Sequence, residues 1–291
     1  MSGSDQPVPT VSGVVRVEGL ELAYERAGEG PPIVFAHGAA CDARTWRPQL
    51  ASLSDEFTVV AWDEPGAGRS SDVQAGFSLG DFADCLAGLI DALGLGPAHV
   101  AGLSWGGTVA LELYRNHPQC VATLILADTY AGWKGSLPEA EVRARLEAYR
   151  EMVASDDRRF DPTLPGLFAG RPAEEVRALM AEMAADVRPQ SMSTVLEIMA
   201  EADLSDLLPH IAVPALLVWG EQDARSPLTV ARQFERAIPD TTLVTIPGAG
   251  HISNLECAAR FDEAVRAFCR AATSEPPPAR RPPRPGRAPR P

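Results

Sequence analysis

The chain has 291 residues, 45% of them hydrophobic and 6% aromatic, and a formal net charge of −13. That length fits one large α/β domain or one domain carrying an insertion, and it buries roughly three quarters of the unfolded surface without help from disulfides. The acidic balance argues against nucleic acid or anionic lipid as a partner of the folded body.

The opening stretch, "MSGSDQPVPTVSG", has neither a basic n-region nor an apolar h-region, so it does not read as a signal peptide. Residues 1–12 are expected to be disordered. No window approaches the ~20 apolar residues of a membrane span. Cys41, Cys85, Cys120, Cys257 and Cys269 are scattered without a C-x-x-C pair, which argues against a disulfide framework and against a zinc site. A cytoplasmic location is the expectation.

Two strand-like runs, "VVRVEG" and "LELAYERAG", come first, with a hairpin turn at "EGLE". The apolar strand "PIVFAHG" follows, then a helix near Ala43 to Leu53. Next come the strand "FTVVAWDEPG" and a helix, "SLGDFADCLAGLIDALGL", for which Ser78 is the N-cap. The strands "AHVAGLS" and "ATLILADT" flank a helix that begins after Trp105. These strands are apolar throughout rather than alternating, the mark of a parallel sheet covered on both faces. Between Ala131 and Leu208 no strand is visible, and three helical segments succeed one another. Alternation resumes with "PALLVWGEQD", the helix "PLTVARQFERAIP", the strand "TTLVTIPG" and a last helix, "NLECAARFDEAVRAFCR". The end of the chain is nearly all Pro, Arg and Ala. From Glu275 it holds five arginines against one glutamate, a net +4 that leaves −17 on the rest, and it reads as a disordered, polyproline-like tail.

Reactive groups gather at the carboxyl ends of parallel strands. Ser104 follows such a strand inside G-x-S-x-G, where Gly102 and Gly106 leave room for a cramped strand-to-helix turn that lifts the hydroxyl above the sheet. His251, in the loop after the final strand, is placed to act as general base and then general acid. Asp223, at the end of the preceding strand, is the candidate to orient His251, with Asp128 as competitor and Glu221 and Asp63 as weaker rivals. The backbone N–H groups of Ala39 and Trp105 are the candidate oxyanion donors. His37 is expected to brace its loop. His99, His117 and His210 are taken as structural.

The segments "HGAA", "DEPGAGRSS", "GLSWGG", "GEQD" and "GAGHISN" resemble, in order and spacing, those of the α/β-hydrolase fold superfamily over Val14 to Arg270. The resemblance implies a mostly parallel eight-stranded sheet flanked by helices, with a helical cap inserted before the penultimate strand. It divides the chain into a core of residues 13–130 and 209–272, a cap of 131–208 and a tail of 273–291. It also implies a Ser-His-Asp serine hydrolase acting on a small-molecule ester or lactone, with no metal or organic cofactor. "DEPGAGRS" looks like the family's D-x-P-G-x-G-x-S turn, so no catalytic role is carried onto Asp63.

"GHISNLE" is similar to the end of 3-oxoadipate enol-lactonases and related esterases. Prolyl aminopeptidases share Ser-Trp-Gly but carry "HGGPG" where this chain has "HGAAC". C–C bond hydrolases and cofactor-free perhydrolases use the same triad and stay open as alternatives, as does a non-catalytic ligand receptor on the same fold. Trp46, Trp133 and Ile252 are candidate substrate contacts. Met180, Met183, Met192 and Met199 form a stripe in the inserted helices that reads as cap core. No basic residue is expected beside the triad, and Arg145, Arg150 and Arg171 are the candidates to hold an anionic substrate from the cap.

Overall fold

The computed structural model describes residues 8–154 and 165–274; residues 1–7, residues 155–164 of the expected cap and the tail from Glu275 lie outside the described residues. Strands β1 (Val11–Val17) and β2 (Leu20–Ala27) form an antiparallel hairpin. Its two-residue turn, Glu18–Gly19, holds φ at 52° and 83°, the doubly left-handed conformation whose twist matches that of the strands it joins. β1 already includes Val11 and Ser12, so order begins before the expected boundary at residue 13.

The helix α1 (Arg47–Leu53) lies between the strands β3 (Pro32–Ala36) and β4 (Thr58–Trp62). α2 (Leu79–Ala92) starts at Ser78 as expected. The Ser78 hydroxyl accepts the Asp81 N–H, while the Asp81 carboxylate accepts the Ser78 N–H, a reciprocal capping box. β5 (Ala98–Leu103), α3 (Trp105–Asn116) and β6 (Val121–Ala127) complete the first half. Three helices then run in succession, α4 (Glu139–Ala154), α5 (Glu174–Ala185) and α6 (Pro189–Glu201). The sheet resumes with β7 (Ala215–Gly220), followed by α7 (Leu228–Ala237) and β8 (Thr241–Ile246). The last expected helix is two, α8 (Ser253–Glu256) and α9 (Ala258–Ser274), separated at Cys257 with φ −135° and ψ 49°. α8 is tied to neighbouring loops, since the Glu256 carboxylate accepts N–H groups from Gly250 and Ala169. The helix axis therefore breaks before α9 turns onto the sheet. α9 also takes in Thr273 and Ser274, two residues assigned above to the tail.

The eight strands order as β1-β2-β4-β3-β5-β6-β7-β8, parallel from β4 to β8, with β2 antiparallel to both of its neighbours. Alternate residues of each central strand feed two cores. Val34, Val60, Val100, Leu124 and Leu217 pack with Phe82, Leu113 and Phe234 on one face. Ile33, Val59, Ala101, Ile125 and Leu216 pack with Trp46, Leu50 and Phe261 on the other. Burial on both faces explains the unbroken apolar strands, because no face was left to carry polar residues. Among the described residues no helix is long and apolar enough to cross a membrane. The chain turns from building the sheet toward β4 to building it toward β8 between β3 and β5, and a crevice opens outside their carboxyl ends.

Candidate active site

Ser104 occupies the turn between β5 and α3 with φ 53° and ψ −116°, a conformation an L-residue holds only when its surroundings impose it. The imposing contacts are backbone. A Cβ on Gly102 would overlap the Gly106 carbonyl oxygen, and one on Gly106 would overlap the Ala36 carbonyl oxygen, so α3 lies closer to β3 and β5 than any side chain permits. The Ser104 N–H donates to the Ala127 carbonyl (2.9 Å), and its own carbonyl accepts the Thr129 hydroxyl. The turn is thereby pinned on both sides.

The Ser104 Oγ lies 2.9 Å from His251 Nε2, and His251 Nδ1 lies 2.9 Å from Asp223 Oδ2. All three residues are buried. The other Asp223 oxygen accepts the N–H groups of Arg225 and Ser226, each at 2.8 Å, so the carboxylate has one orientation. The His251 N–H donates to the Leu167 carbonyl (2.9 Å), which fixes the loop after β8 against the segment between α4 and α5.

Asp128 also ends a strand, at φ 46°, but its carboxyl accepts from the Gly220 N–H (2.7 Å) and the Ser253 hydroxyl (2.5 Å) and makes no hydrogen bond to His251. Burial, and then the nearby Asp223 charge, push it well above the ordinary carboxylate range. Asp63 accepts the Ala43 and Arg69 N–H groups and organises its turn, as expected for that motif. Glu221 is exposed.

On the other side of Ser104, the turn Gly38–Cys41 carries Ala40 at φ 61° and is closed by the Cys41 N–H on the Gly38 carbonyl (3.2 Å). His37 braces it. Its Nδ1 donates to the Gly38 carbonyl (2.9 Å), and its Nε2 accepts the Glu64 N–H (3.1 Å), a pairing that assigns the neutral Nδ1–H tautomer. Among the described residues the Ala39 and Trp105 amides donate to no backbone carbonyl of these turns. Glu64 was not anticipated. Its buried carboxylate accepts the Trp105 indole N–H (2.7 Å) directly behind the Ser104 turn, and burial pushes its pKa up to about 7. A charged residue between Asp63 and Pro65, in a turn otherwise read as structural, was the available signal.

These groups open onto a cavity of about 40 Å³ lined by Ala39, Ser104, His251, Trp133 and Ile252, together with Tyr130, Tyr149 and Met180. Trp46, expected as a substrate contact, is not part of it. Its ring packs between Phe35 (4.5 Å) and Phe261 (6.0 Å) in the core, because it ends the short 3-10 turn Ala43–Trp46 ahead of α1, whose buried face is Ala43, Thr45 and Trp46. Met180 and Met199 line the cavity, whereas Met183 and Met192 line a neighbouring one. Cys41 also borders the site, but burial pushes its thiol up to about 12, so it remains protonated. His99, His117 and His210 lie away from the cavity, and His99 is held neutral by burial, with its pKa lowered to about 4. The absence of a basic residue beside the triad needs correction: Arg225, two positions past Asp223, lines the cavity wall. Of the expected cationic candidates, Arg145 pairs with Glu141 (2.5 Å), Arg150 with Glu197 (3.4 Å), and Arg171 is exposed.

A family model described as the alpha/beta hydrolase fold matches residues 31–258. A pimeloyl-[acyl-carrier protein] methyl ester esterase from Chromobacterium violaceum is 32% identical over 241 residues, covering 80% of this chain and 91% of its own. Among solved structures, an esterase from Thermogutta terrifontis superposes with a TM-score of 0.80 at 32% identity, over 91% of this chain and 99% of its own. An enol-lactonase from Burkholderia xenovorans does so with a TM-score of 0.75 at 28% identity, over 89% and 100%.

Proposed function

The chain belongs to the α/β-hydrolase fold family, and we propose that within it this protein is a serine hydrolase of carboxylic esters or lactones, with Ser104, His251 and Asp223 as its triad. One observation carries the reading: an unbroken chain of 2.9 Å hydrogen bonds from the Ser104 hydroxyl through His251 to Asp223, opening onto a cavity. The esterase and enol-lactonase relatives are consistent with that bond class.

In this mechanism Ser104 Oγ attacks the substrate carbonyl carbon while its proton passes to His251 Nε2. Asp223 accepts the Nδ1–H, fixes the tautomer and stabilises the imidazolium. The carbonyl oxygen becomes an oxyanion held by the Ala39 and Trp105 amides, the latter at the positive end of α3; each such donor contributes about 10²–10³-fold to the rate. Collapse breaks the bond to the leaving oxygen, which takes the proton from His251 and leaves an acyl group on Ser104. Water then attacks the acyl carbon, its proton passing to His251, and the acid departs as Ser104 regains its hydrogen. Helices α4–α6, as a cap over residues 131–208, supply Met180 and Met199 to an apolar wall and limit which esters enter.

The test is a panel of p-nitrophenyl esters, a simple lactone and an enol-lactone, each measured with Ser104→Ala as blank. Turnover lost in Ser104→Ala, in a protein whose melting temperature is unchanged, is the expected result. Turnover retained in that variant would sink the mechanism.

A further inference from the structure

We propose that the substrate carries a carboxylate remote from the bond that is cleaved, and that Arg225, with the hydroxyls of Tyr149 and Tyr130, is the site that holds it. The inference rests on the serine-hydrolase reading for its chemistry, but the binding site is built from other groups.

The cavity wall facing the triad is rich in donors and poor in acceptors. Arg225 lines it, and among the described residues its guanidinium makes no ion pair. Its Nη2 donates to the Tyr149 hydroxyl (2.5 Å) and its guanidinium carbon lies 5.7 Å from the Tyr149 ring centre, contacts that orient the cation without neutralising it. Because the Tyr149 oxygen is already accepting from Arg225, its own hydrogen is free to be donated. Tyr130 repeats the pattern: its hydroxyl accepts from Arg145 Nη1 (3.0 Å), and its ring lies 6.2 Å from that of His251.

Arg145 differs in kind. It is paired with Glu141 and also donates to the Arg225 carbonyl (2.7 Å), so it fixes the backbone of Arg225 and has no charge to spare. The Asp223 carboxylate, two residues earlier in the chain, is turned toward His251 and two backbone amides. What remains is one uncompensated cation and two phenol hydrogens on the wall of an otherwise apolar cavity. A planar oxyanion satisfies all of them, and a guanidinium fork matches a carboxylate in geometry as well as charge. A neutral ester leaves them unmatched. The substrate class is therefore an ester whose acyl or alcohol part ends in a carboxylate, such as the monoester of a dicarboxylic acid.

Two matched pairs test this. p-Nitrophenyl hydrogen glutarate against p-nitrophenyl valerate places the charge on the acyl side; 4-acetoxybenzoate against 4-acetoxybenzamide places it on the leaving group. The expected result is a kcat/KM about 10- to 100-fold higher for the charged member of one pair, with that charged-to-neutral ratio falling to about one in Arg225→Met, whatever the change in the two absolute rates. Preference for the neutral member in both pairs, or a preference that survives Arg225→Met, overturns the proposal and leaves the hydrolase reading intact. If Ser104 is neither labelled by a neutral fluorophosphonate nor needed for turnover, the hydrolase reading is what fails. Binding then decides the site alone: glutarate should raise the melting temperature more than glutaramide does, and that difference should vanish in Arg225→Met. Equal shifts from the two ligands would overturn it.

Discussion

At the scale of single residues, two buried aspartates at neighbouring strand ends have been given different work by their hydrogen bonds. Asp223 spends one oxygen on two amides and turns the other to His251, whereas Asp128 spends both on Gly220 and Ser253. Asn at 223 presents an amide where His251 needs an acceptor, so Asp223→Asn is expected to lower kcat by about 10⁴-fold. Asn at 128 keeps an acceptor for the Gly220 N–H and a donor for Ser253, tolerates φ 46°, and replaces a carboxyl whose pKa burial already raises. Asp128→Asn should hold kcat/KM within about tenfold of the native value. Steady-state rates on one good ester separate the two, and comparable losses in both variants would show that the aspartates share the role. Both positions were visible in the sequence as strand ends; which one faces His251 was a matter of loop path, which no local pattern encodes.

At the scale of elements, the turn joining β5 to α3 is where sequence and geometry agree most closely. G-x-S-x-G between an apolar strand and a helix specified a cramped turn, and the glycines there are required by carbonyl oxygens that approach from β3 and α3. Gly106→Ala is expected to push α3 away from the Ala36 carbonyl, destabilising the fold by about 1–3 kcal/mol. Through the displaced Ser104 and Trp105 amide, it should also lower kcat by about 10²-fold. Thermal melts together with kcat read both effects; native kcat in this variant would mean the turn is not what positions Ser104. The strands, helices and the Ser78 cap were legible for the same reason: periodicity and capping are local. The cavity wall was legible only in part. Trp133 and Ile252 line it while Trp46 does not, because the direction in which a loop residue points depends on the tertiary path. Arg225 escaped notice although it stands two residues from Asp223, since a loop has no period from which to read a face.

At the scale of the whole molecule, Glu64 links the site to global stability. Its carboxyl sits beneath the Ser104 turn on the Trp105 indole N–H, and burial lifts its pKa from 4.5 to about 7 against the opposing pull of that hydrogen bond. Below pH ~4.5 the group is protonated in folded and unfolded chains alike and its titration costs nothing. Between that pH and about 7 the unfolded chain gives up the proton while the folded chain keeps it, so the folded state binds more protons and stability falls as pH rises. Above pH 7 the cost of the buried charge is fully present, on the order of 3 kcal/mol. Glu64→Gln retains an acceptor for Trp105 and removes the titration. Its stability relative to the native chain should therefore rise from pH 5 to pH 8, as measured by denaturant midpoints at matched ionic strength. Asp128 and the other shifted carboxyls titrate in both proteins and cancel in the difference. A difference that stays flat across that range would mean Glu64 is ionised throughout, and that the Trp105 hydrogen bond outweighs burial behind the Ser104 turn.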